Sequence, residues 1–389
     1  MIRTGDHALV KQLNKSIVLN VLRSKSPVSR TDISKLTGLN KATVSVIMDE
    51  LLAEDLVIEL GHGPSTVGRR PVMCRFNPQA GMVIGLQIEV DSVSGVLTDL
   101  AGNIIREQVE VVDSLADIDV AKQAIKNVVD PLLSHATGTR LGVLGIGVGV
   151  PGLVNYSTGV VRRAPNLHWN NVPLRSFLES EWPYSILVDN EANAGALGEK
   201  LFGIGRDYTD LVYISVGHGI GAGIVVNGEL VRGVHGLAGE FGHMTIEVNG
   251  HKCSCDGRGC LEMYASEKAV KETIRISTGE EWPTARVFEQ LAKGNRVATE
   301  AVRLAGRFLG IGISNIANGL DTSLIVIGNR MANGGSVFLE SVRESFYEYC
   351  FSHSLSKTNI ELSQLGKSAC ALGAASLVVH EYFSIPKMA

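Results

Sequence analysis

No apolar run in the 389 residues approaches the roughly 20 that cross a bilayer, so no membrane-spanning helix is expected. The opening stretch MIRTGDHALVKQLNK lacks the apolar core and cleavage site of an export signal. A cytoplasmic protein is therefore expected, in a compartment where thiols stay reduced. Cysteine is sparse, and three of the six, Cys253, Cys255 and Cys260, crowd into one short segment. Under reducing conditions such clustering points to a metal before a disulfide. Cys74, Cys350 and Cys370 stand apart and read as ordinary buried or surface cysteines. A large net charge is missing too, since the formal charge is only −4. That small value hides an asymmetry. Residues 1–80 carry 11 Lys+Arg against 7 Asp+Glu, and the remainder carries 25 against 33. A basic head on an acidic body fits a head that alone meets nucleic acid.

Apolar residues at 45% and charged residues at 20% are an ordinary globular balance, and the length suggests two or three units. The first, 1–80, reads as three short helices and a hairpin. Leu13, Ile17, Val21 and Leu22 share a helical stripe, which Pro27 ends. Ser29 to Asp32 forms a cap for a second helix with Ile33 and Leu36 inside. Thr37-Gly38-Leu39 turns the chain, and Asn40 caps a third helix with Val44, Ile47, Met48 and Leu51 inward. Two strands, 57–60 and 71–76, then flank the loop GHGPSTVGRR. Two helices across a glycine turn, followed by a hairpin, predict a winged helix-turn-helix. Asn40, Lys41, Thr43 and Ser45 stand at the start and on the outer face of the third helix, where they can reach phosphates and base edges. Arg69 and Arg70 make the wing doubly basic, suited to a minor groove. A small helical module that binds protein is the alternative.

Asn77-Pro78-Gln79-Ala80-Gly81 is a turn-rich boundary. Beyond it, residues 81–389 contain two stretches of strand, turn and strand, near 82–105 and 210–232, each followed by helical segments. The repetition predicts an α/β architecture of two similar lobes facing a ligand cleft.

These residues resemble the ROK family, in which sugar kinases and sugar-responsive repressors share an actin-like two-lobed fold. The matching pieces are VGVPGLV (148–154), APNLHW (164–169), VDNEANAGALGE (188–199), the glycine turn 217–223 and the cysteine segment. The basic head marks the repressor branch. GRRPV (68–72), GEKLFG (198–203) and KCSCDGRGCLEMYASEKA (252–269) are most similar to its xylose-repressor subgroup in Gram-positive bacteria.

His243, Cys253, Cys255 and Cys260 form an N/S set whose four positions suit tetrahedral Zn²⁺ with no open site, hence one structural ion per chain in a loop spanning 243–260. The Cys-x-Cys spacing is tighter than the usual form, and the family motif strengthens it. Unmetallated thiols or a disulfide are the alternatives. The resemblance further implies sugar contacts from Asn166, Asn190, Glu191, Glu240, His243 and Glu262. Carboxylates suit this because one can accept from two adjacent hydroxyls.

Four departures argue against an active kinase. The glycine pair of the family's first phosphate loop gives way to bulk and charge near Glu89 and Asp91. The second phosphate turn reads Gly217-His218-Gly219. The catalytic aspartate position holds Glu191, and the nucleotide-side glycine run is broken as Gly328-Asn329-Arg330. Carboxylates repel phosphate, and a longer base disturbs a productive geometry. The expectation is a non-enzymatic repressor, released from operator double-stranded DNA by a monosaccharide. Xylose is what the resemblance implies, and glucose is possible. It would act as a homodimer or homotetramer with no membrane partner. An active ROK sugar kinase, control by a protein partner, and a sugar that tightens DNA binding are the rivals.

Overall fold

The computed structural model describes residues 7–62, 70–351 and 358–384. In the head, α1 (His7–Lys25) buries Val18, Leu19 and Leu22, while Leu13, Ile17 and Val21 lie half-buried at the margin. The contact stripe is thus rotated slightly from the expected one. Strand β1 (Val28–Ser29) leads into α2 (Arg30–Thr37). The Ser29 hydroxyl accepts from the Asp32 N–H at 3.1 Å, capping the helix, and donates to the Asp32 carboxylate at 2.6 Å. Gly38, at φ 73°, ends the helix in the left-handed conformation that glycine adopts without penalty. Ile33 is buried, but Leu36, expected inside, is 57% exposed. Helix α2 has only two turns and buries a single residue, so a side chain about 60° further round the axis faces out.

Helix α3 (Lys41–Ala53) starts on Asn40, whose side-chain oxygen accepts from the Thr43 N–H at 2.8 Å. It buries Val44, Ile47, Met48 and Leu51, as expected. Strands β2 (Val57–His62) and β3 (Val72–Phe76) complete an antiparallel sheet of order β1-β3-β2.

The body begins with a meander of β4 (Met82–Ile88), β5 (Ser92–Asp99) and β6 (Ile104–Val111), then α4 (Ile118–His135). Strand β7 (Val143–Val150) runs parallel to β4. A side ribbon of β8 (Leu153–Asn155), β9 (Val160–Ala164) and β10 (Trp169–Val172) precedes α5 (Leu174–Glu181). Strand β11 (Ile186–Asn190) pairs parallel to β7 and runs straight into α6 (Glu191–Leu201).

The second meander is β12 (Leu211–Val216), β13 (Ile220–Val226) and β14 (Glu229–Val231). Helices α7 (Glu262–Ala265), α8 (Glu267–Thr278), α9 (Thr284–Ala292) and α10 (Arg296–Leu320) follow. Ser266 separates α7 from α8 and caps α8. Strand β15 (Leu324–Gly328), α11 (Gly335–Tyr349), β16 (Asn359–Leu362) and α12 (Ala369–Phe383) end the described chain.

The two five-stranded sheets, β11-β7-β4-β5-β6 and β16-β15-β12-β13-β14, have the same internal order. The repeat expected from the two meanders is therefore present, enlarged in each lobe by two parallel strands. Helix α6 packs against β12 and β13 of the second sheet, and α12 packs against α6 and against β4 and β7 of the first. Gly85 and Gly147 let α12 lie with its Ala371 and Ala374 carbonyls on the strands, where any Cβ would clash.

The head is docked rather than tethered. One hydrophobic core joins Leu22, Ile33 and Met48 to Val83, Leu100, Val379 and Phe383. The Phe383 ring meets Phe76 edge-on at 5.7 Å between centroids, and the Arg23 guanidinium lies 4.3 Å over it. Asn20 donates to the Phe383 carbonyl and Ser16 to the Ser384 carbonyl, each at 3.3 Å. The turn-rich boundary is a short helical turn, Pro78–Ala80, with Ala80 fully buried. No described helix is long and apolar enough to cross a membrane.

Candidate functional site: a polar cleft beside a cysteine and histidine cage

The segment between β14 and α7 has little regular structure. A short turn, Phe241–His243, and two isolated bridges, Thr245 with Cys260 and Lys252 with Arg258, are its ordered elements. It folds back on itself through backbone bonds such as Leu261 N–H to the Met244 carbonyl and Cys253 N–H to the Gly257 carbonyl, both 2.9 Å. This brings His243, Cys253, Cys255 and Cys260 together, with all four ligand atoms within 4.8 Å of one another. His243 Nδ1 lies 3.6 Å from Cys253 Sγ, and Cys255 Sγ lies 3.6 Å from Cys260 Sγ. Metal–sulfur bonds of about 2.3 Å give a tetrahedron with edges of about 3.8 Å, so the cage has the size and donor chemistry for one four-coordinate cation. Cys253 and Cys260 are buried, and the other two ligands are half-buried.

On the far side of His243 a cavity of about 160 Å³ opens between the lobes. That is well below the roughly 300–1,000 Å³ of sites for drug-sized ligands, so its occupant is small. All six residues expected at a sugar site line it. Asn166 comes from the turn Pro165–Leu167, Asn190 and Glu191 from the junction of β11 with α6, and Glu262 from the first residue of α7. Glu240 immediately precedes the His243 turn. His243 faces both ways: Nδ1 points at the cage, and Nε2 lies 3.8 Å from a Glu240 oxygen.

Asn190 is largely committed to the backbone. Its oxygen accepts from the Ala192 N–H at 2.8 Å and its amide donates to the Gly152 carbonyl at 2.9 Å, leaving one N–H for a ligand. Asn166 is exposed, and its amide has no hydrogen-bond partner among the described residues. Gly219 leaves the space into which Glu262 reaches, since a Cβ there would sit 2.9 Å from Glu262 Oε2.

Sequence reasoning left Ser254, Asn329 and Arg330 out of the cavity wall, and it treated Glu89 and Asp91 only as obstacles to phosphate. Ser254 was findable, because it lies between two cage cysteines. Asn329 and Arg330 follow β15, well beyond Glu262, the lining residue before them in the chain, and their break in a glycine run does not by itself place them in the wall.

Glu191 accepts from the Ser215 hydroxyl at 3.2 Å. Burial, and then the Glu89 carboxylate, push its pKa from 4.5 up to about 7, against the Ser215 bond and Arg330. Glu240 is raised as well, by burial and the neighbouring Glu262 charge, with His243 opposing. The folded state therefore holds a proton on Glu191 at pH values where the unfolded chain has lost it. Stability falls as pH rises from 4.5 through about 7. Between about pH 5 and pH 8 the wild type is expected to lose on the order of 2–3 kcal/mol more than Glu191→Gln. Urea unfolding of both proteins at the two pH values checks this, and parallel pH profiles would contradict it.

In the head, Lys41 and Asn40 are exposed, and Thr43 and Ser45 are half-buried on the outer face of α3 beside exposed Ala42 and Val46. The Asn40 oxygen is held by its cap, so only its amide N–H groups face outward. Asp49 lies on the same helix and is neutralised by Arg30 at 2.8 Å. Arg70 is exposed just before β3, and Arg69 lies outside the described residues.

Residues 83–381 match the ROK family. The chain is 39% identical over 398 residues to the xylose repressor of Caldicellulosiruptor bescii, covering 99% of this chain and all of the relative. It is similar to the solved structure of a ROK family transcriptional regulator, a homologue of the Escherichia coli MLC protein, at 27% identity. The TM-score there is 0.79, over 97% of this chain and 98% of the other. A ROK family glucokinase from Streptomyces griseus, solved with glucose and AMPPNP, is 28% identical with a TM-score of 0.68. It covers 76% of this chain and 99% of its own. The match across most of the body, and full-length identity well above chance, place this chain in the ROK family.

Proposed function

We propose that the protein is a sugar-responsive transcriptional repressor that binds operator DNA through residues 1–80 and releases it when a monosaccharide enters the cleft of residues 81–389. One observation carries this reading: a small carboxylate-lined cleft and an exposed helical head share a core through α12. Helix α12 packs on α6, and α6 begins with Asn190 and Glu191 in the cleft. A sugar that re-seats α6 thus has a packed route to the head, and half-site geometry on DNA tolerates little displacement.

The succession of α2, α3 and the β1-β3-β2 sheet supports reading the head as a winged helix-turn-helix. In this reading Asn40, Lys41, Thr43 and Ser45 face a major groove, and Arg69 and Arg70 a minor groove. Zn²⁺ in the His243–Cys260 cage supplies no reaction; when bound it fixes the loop that carries Glu240 and Glu262. Asn166, Asn190, Glu191, Glu240, His243 and Glu262 hold the sugar. Repressors similar along the full chain are named for xylose, which favours xylose. A homodimer would present two heads to a palindrome.

The kinase alternative draws on the glucokinase likeness, which covers the body without the head. Against it stand Glu191 at the base position and the charged residues Glu89, Asp91 and Arg330 along the adjoining wall.

Fluorescence anisotropy tests the proposal, using a DNA duplex that the protein itself selects from random sequence, titrated with xylose, glucose, arabinose and cellobiose. Release by one monosaccharide is expected; no selected sequence, or no response to any sugar, would refute it. An ATP-coupled assay should show no turnover near about 1 s⁻¹. The Arg69→Ala/Arg70→Ala protein is expected to bind every duplex more weakly and to lower the log–log salt slope by about 1–2. Changes at Ser45 are expected to shift preference between duplexes by about 1–3 kcal/mol per base pair. Unaltered affinity in the double arginine variant would contradict the wing assignment.

A further inference from the structure

Two features that look unrelated in the sequence meet across the cleft. Glu89 and Asp91 lie between β4 and β5 of the first lobe, and Arg330 follows β15 of the second. The Arg330 guanidinium bonds to Glu89, lies 3.2 Å from Asp91, and has its other nitrogen 3.6 Å from Glu267. Each partner is itself held. Gln87 donates to Glu89 at 3.0 Å and Ser92 at 3.2 Å. Glu267 is almost fully buried at the start of α8, where Lys271 reaches one oxygen at 2.6 Å. Its second oxygen, Oε2, is buried without a hydrogen bond and has Arg330 as its counter-charge.

The turn that aims Arg330 is specialised. Asn329 adopts φ 66°, uncommon for a non-glycine residue, and its side-chain oxygen accepts from the Arg330 N–H at 2.7 Å. The Asn329 amide donates to Ser215 at 2.9 Å, and Ser215 donates in turn to Glu191. Arg330, Glu89 and Asp91 also line the cavity next to Glu191.

We propose that Arg330 is an interlobe latch and a positioning residue for the sugar: it ties the lobes together at the edge of the cleft and sets the place of Glu191. This rests on the reading of the cleft as a sugar site. The latch is built from groups that are hydrogen-bonded before any ligand arrives, so it closes the wall at little further cost in ordering. It also brings a positive charge to bear on both Glu89 and Glu191, two acids that otherwise repel. Two of the departures from the kinase pattern are thus a matched pair, in which a cation from one lobe replaces flexible glycine with a bridge to the other.

The test uses full-length, zinc-loaded protein, calorimetric titration with xylose, and small-angle X-ray scattering without sugar. Arg330→Ala is expected to bind xylose about tenfold more weakly or worse, and to have a larger radius of gyration than wild type. Arg330→Lys should recover part of the affinity. Glu89→Gln/Asp91→Asn should match the loss, and adding Arg330→Ala to it should cause little further loss, because both remove the same bridge. Affinity within about twofold of wild type in Arg330→Ala overturns the latch. So does full additivity of the two sets of changes, or a lysine variant no better than alanine. If wild type binds none of xylose, glucose and arabinose, the sugar reading fails. Scattering then decides the latch alone, and equal radii in wild type, Arg330→Ala and Glu89→Gln/Asp91→Asn overturn it.

Discussion

Cys255→Ser protein purified without chelator is expected to carry no stoichiometric zinc and to lose its sugar response, while still binding DNA. The cage is the main fixed point of a segment that otherwise has one short turn and two isolated bridges. A serine hydroxyl replaces thiolate poorly as a ligand, and a set of three leaves a position open to water. The consequence extends beyond the metal, because Glu240 and His243 belong to the same segment, Glu262 follows it directly at the start of α7, and all three line the cleft. Without the ion, the backbone that holds these three groups gains freedom, and binding must then supply their ordering. Sugar affinity should fall by about 100-fold or more, which is about 2.7 kcal/mol. The head core contains none of these residues, so DNA affinity without sugar should stay within about twofold. Elemental analysis and calorimetry check both halves. Wild-type sugar affinity in zinc-free Cys255→Ser would remove the structural role assigned to the ion.

Phe383→Ala should cost about 3–5 kcal/mol of stability and separate sugar binding from DNA release. Phe383 is 2% exposed at the end of α12, packed on Phe76 and under the Arg23 guanidinium. Truncation leaves a cavity in the core that joins head and body, and removes the ring beneath a cation whose pKa burial has already lowered to about 10. The cleft lies toward the other end of the α6 and α12 pair, so xylose should still bind. Operator affinity should then change little on adding it. Urea unfolding gives the first quantity, and anisotropy with and without sugar gives the second. Phe383→Leu, which leaves a smaller cavity, serves if the alanine protein does not fold. A full sugar response in either variant would show that α12 does not carry the signal.

How much of this was legible beforehand depended on how far apart in the chain the cooperating residues lie. The caps at Ser29 and Asn40 were readable because a side chain bonds to a backbone group three residues away. The buried set of α3 followed from helical periodicity. The cage was readable for a related reason: three of its ligands lie within one short segment, and their chemistry is narrow. The meanders were legible as alternating strands and turns. Leu36 was not, because periodicity identifies an apolar face but not how wide a neighbour covers it.

The sequence by itself determined a basic helical head, a repeated α/β body and a four-ligand cage, and its resemblance to the ROK family marked six polar residues for one cleft. Tertiary structure alone decided the pairing of β7 with β4 and β15 with β12, the seating of the head on Phe383, and the meeting of Arg330 with Glu89 and Asp91. Arg330 and Glu89 lie 241 residues apart in the chain. An ion pair leaves no periodicity and no fixed spacing, since any arginine can meet any carboxylate once the fold brings them together. The close approach of α12 to β4 and β7 likewise depends on glycines whose purpose is visible only when the opposing backbone is in place.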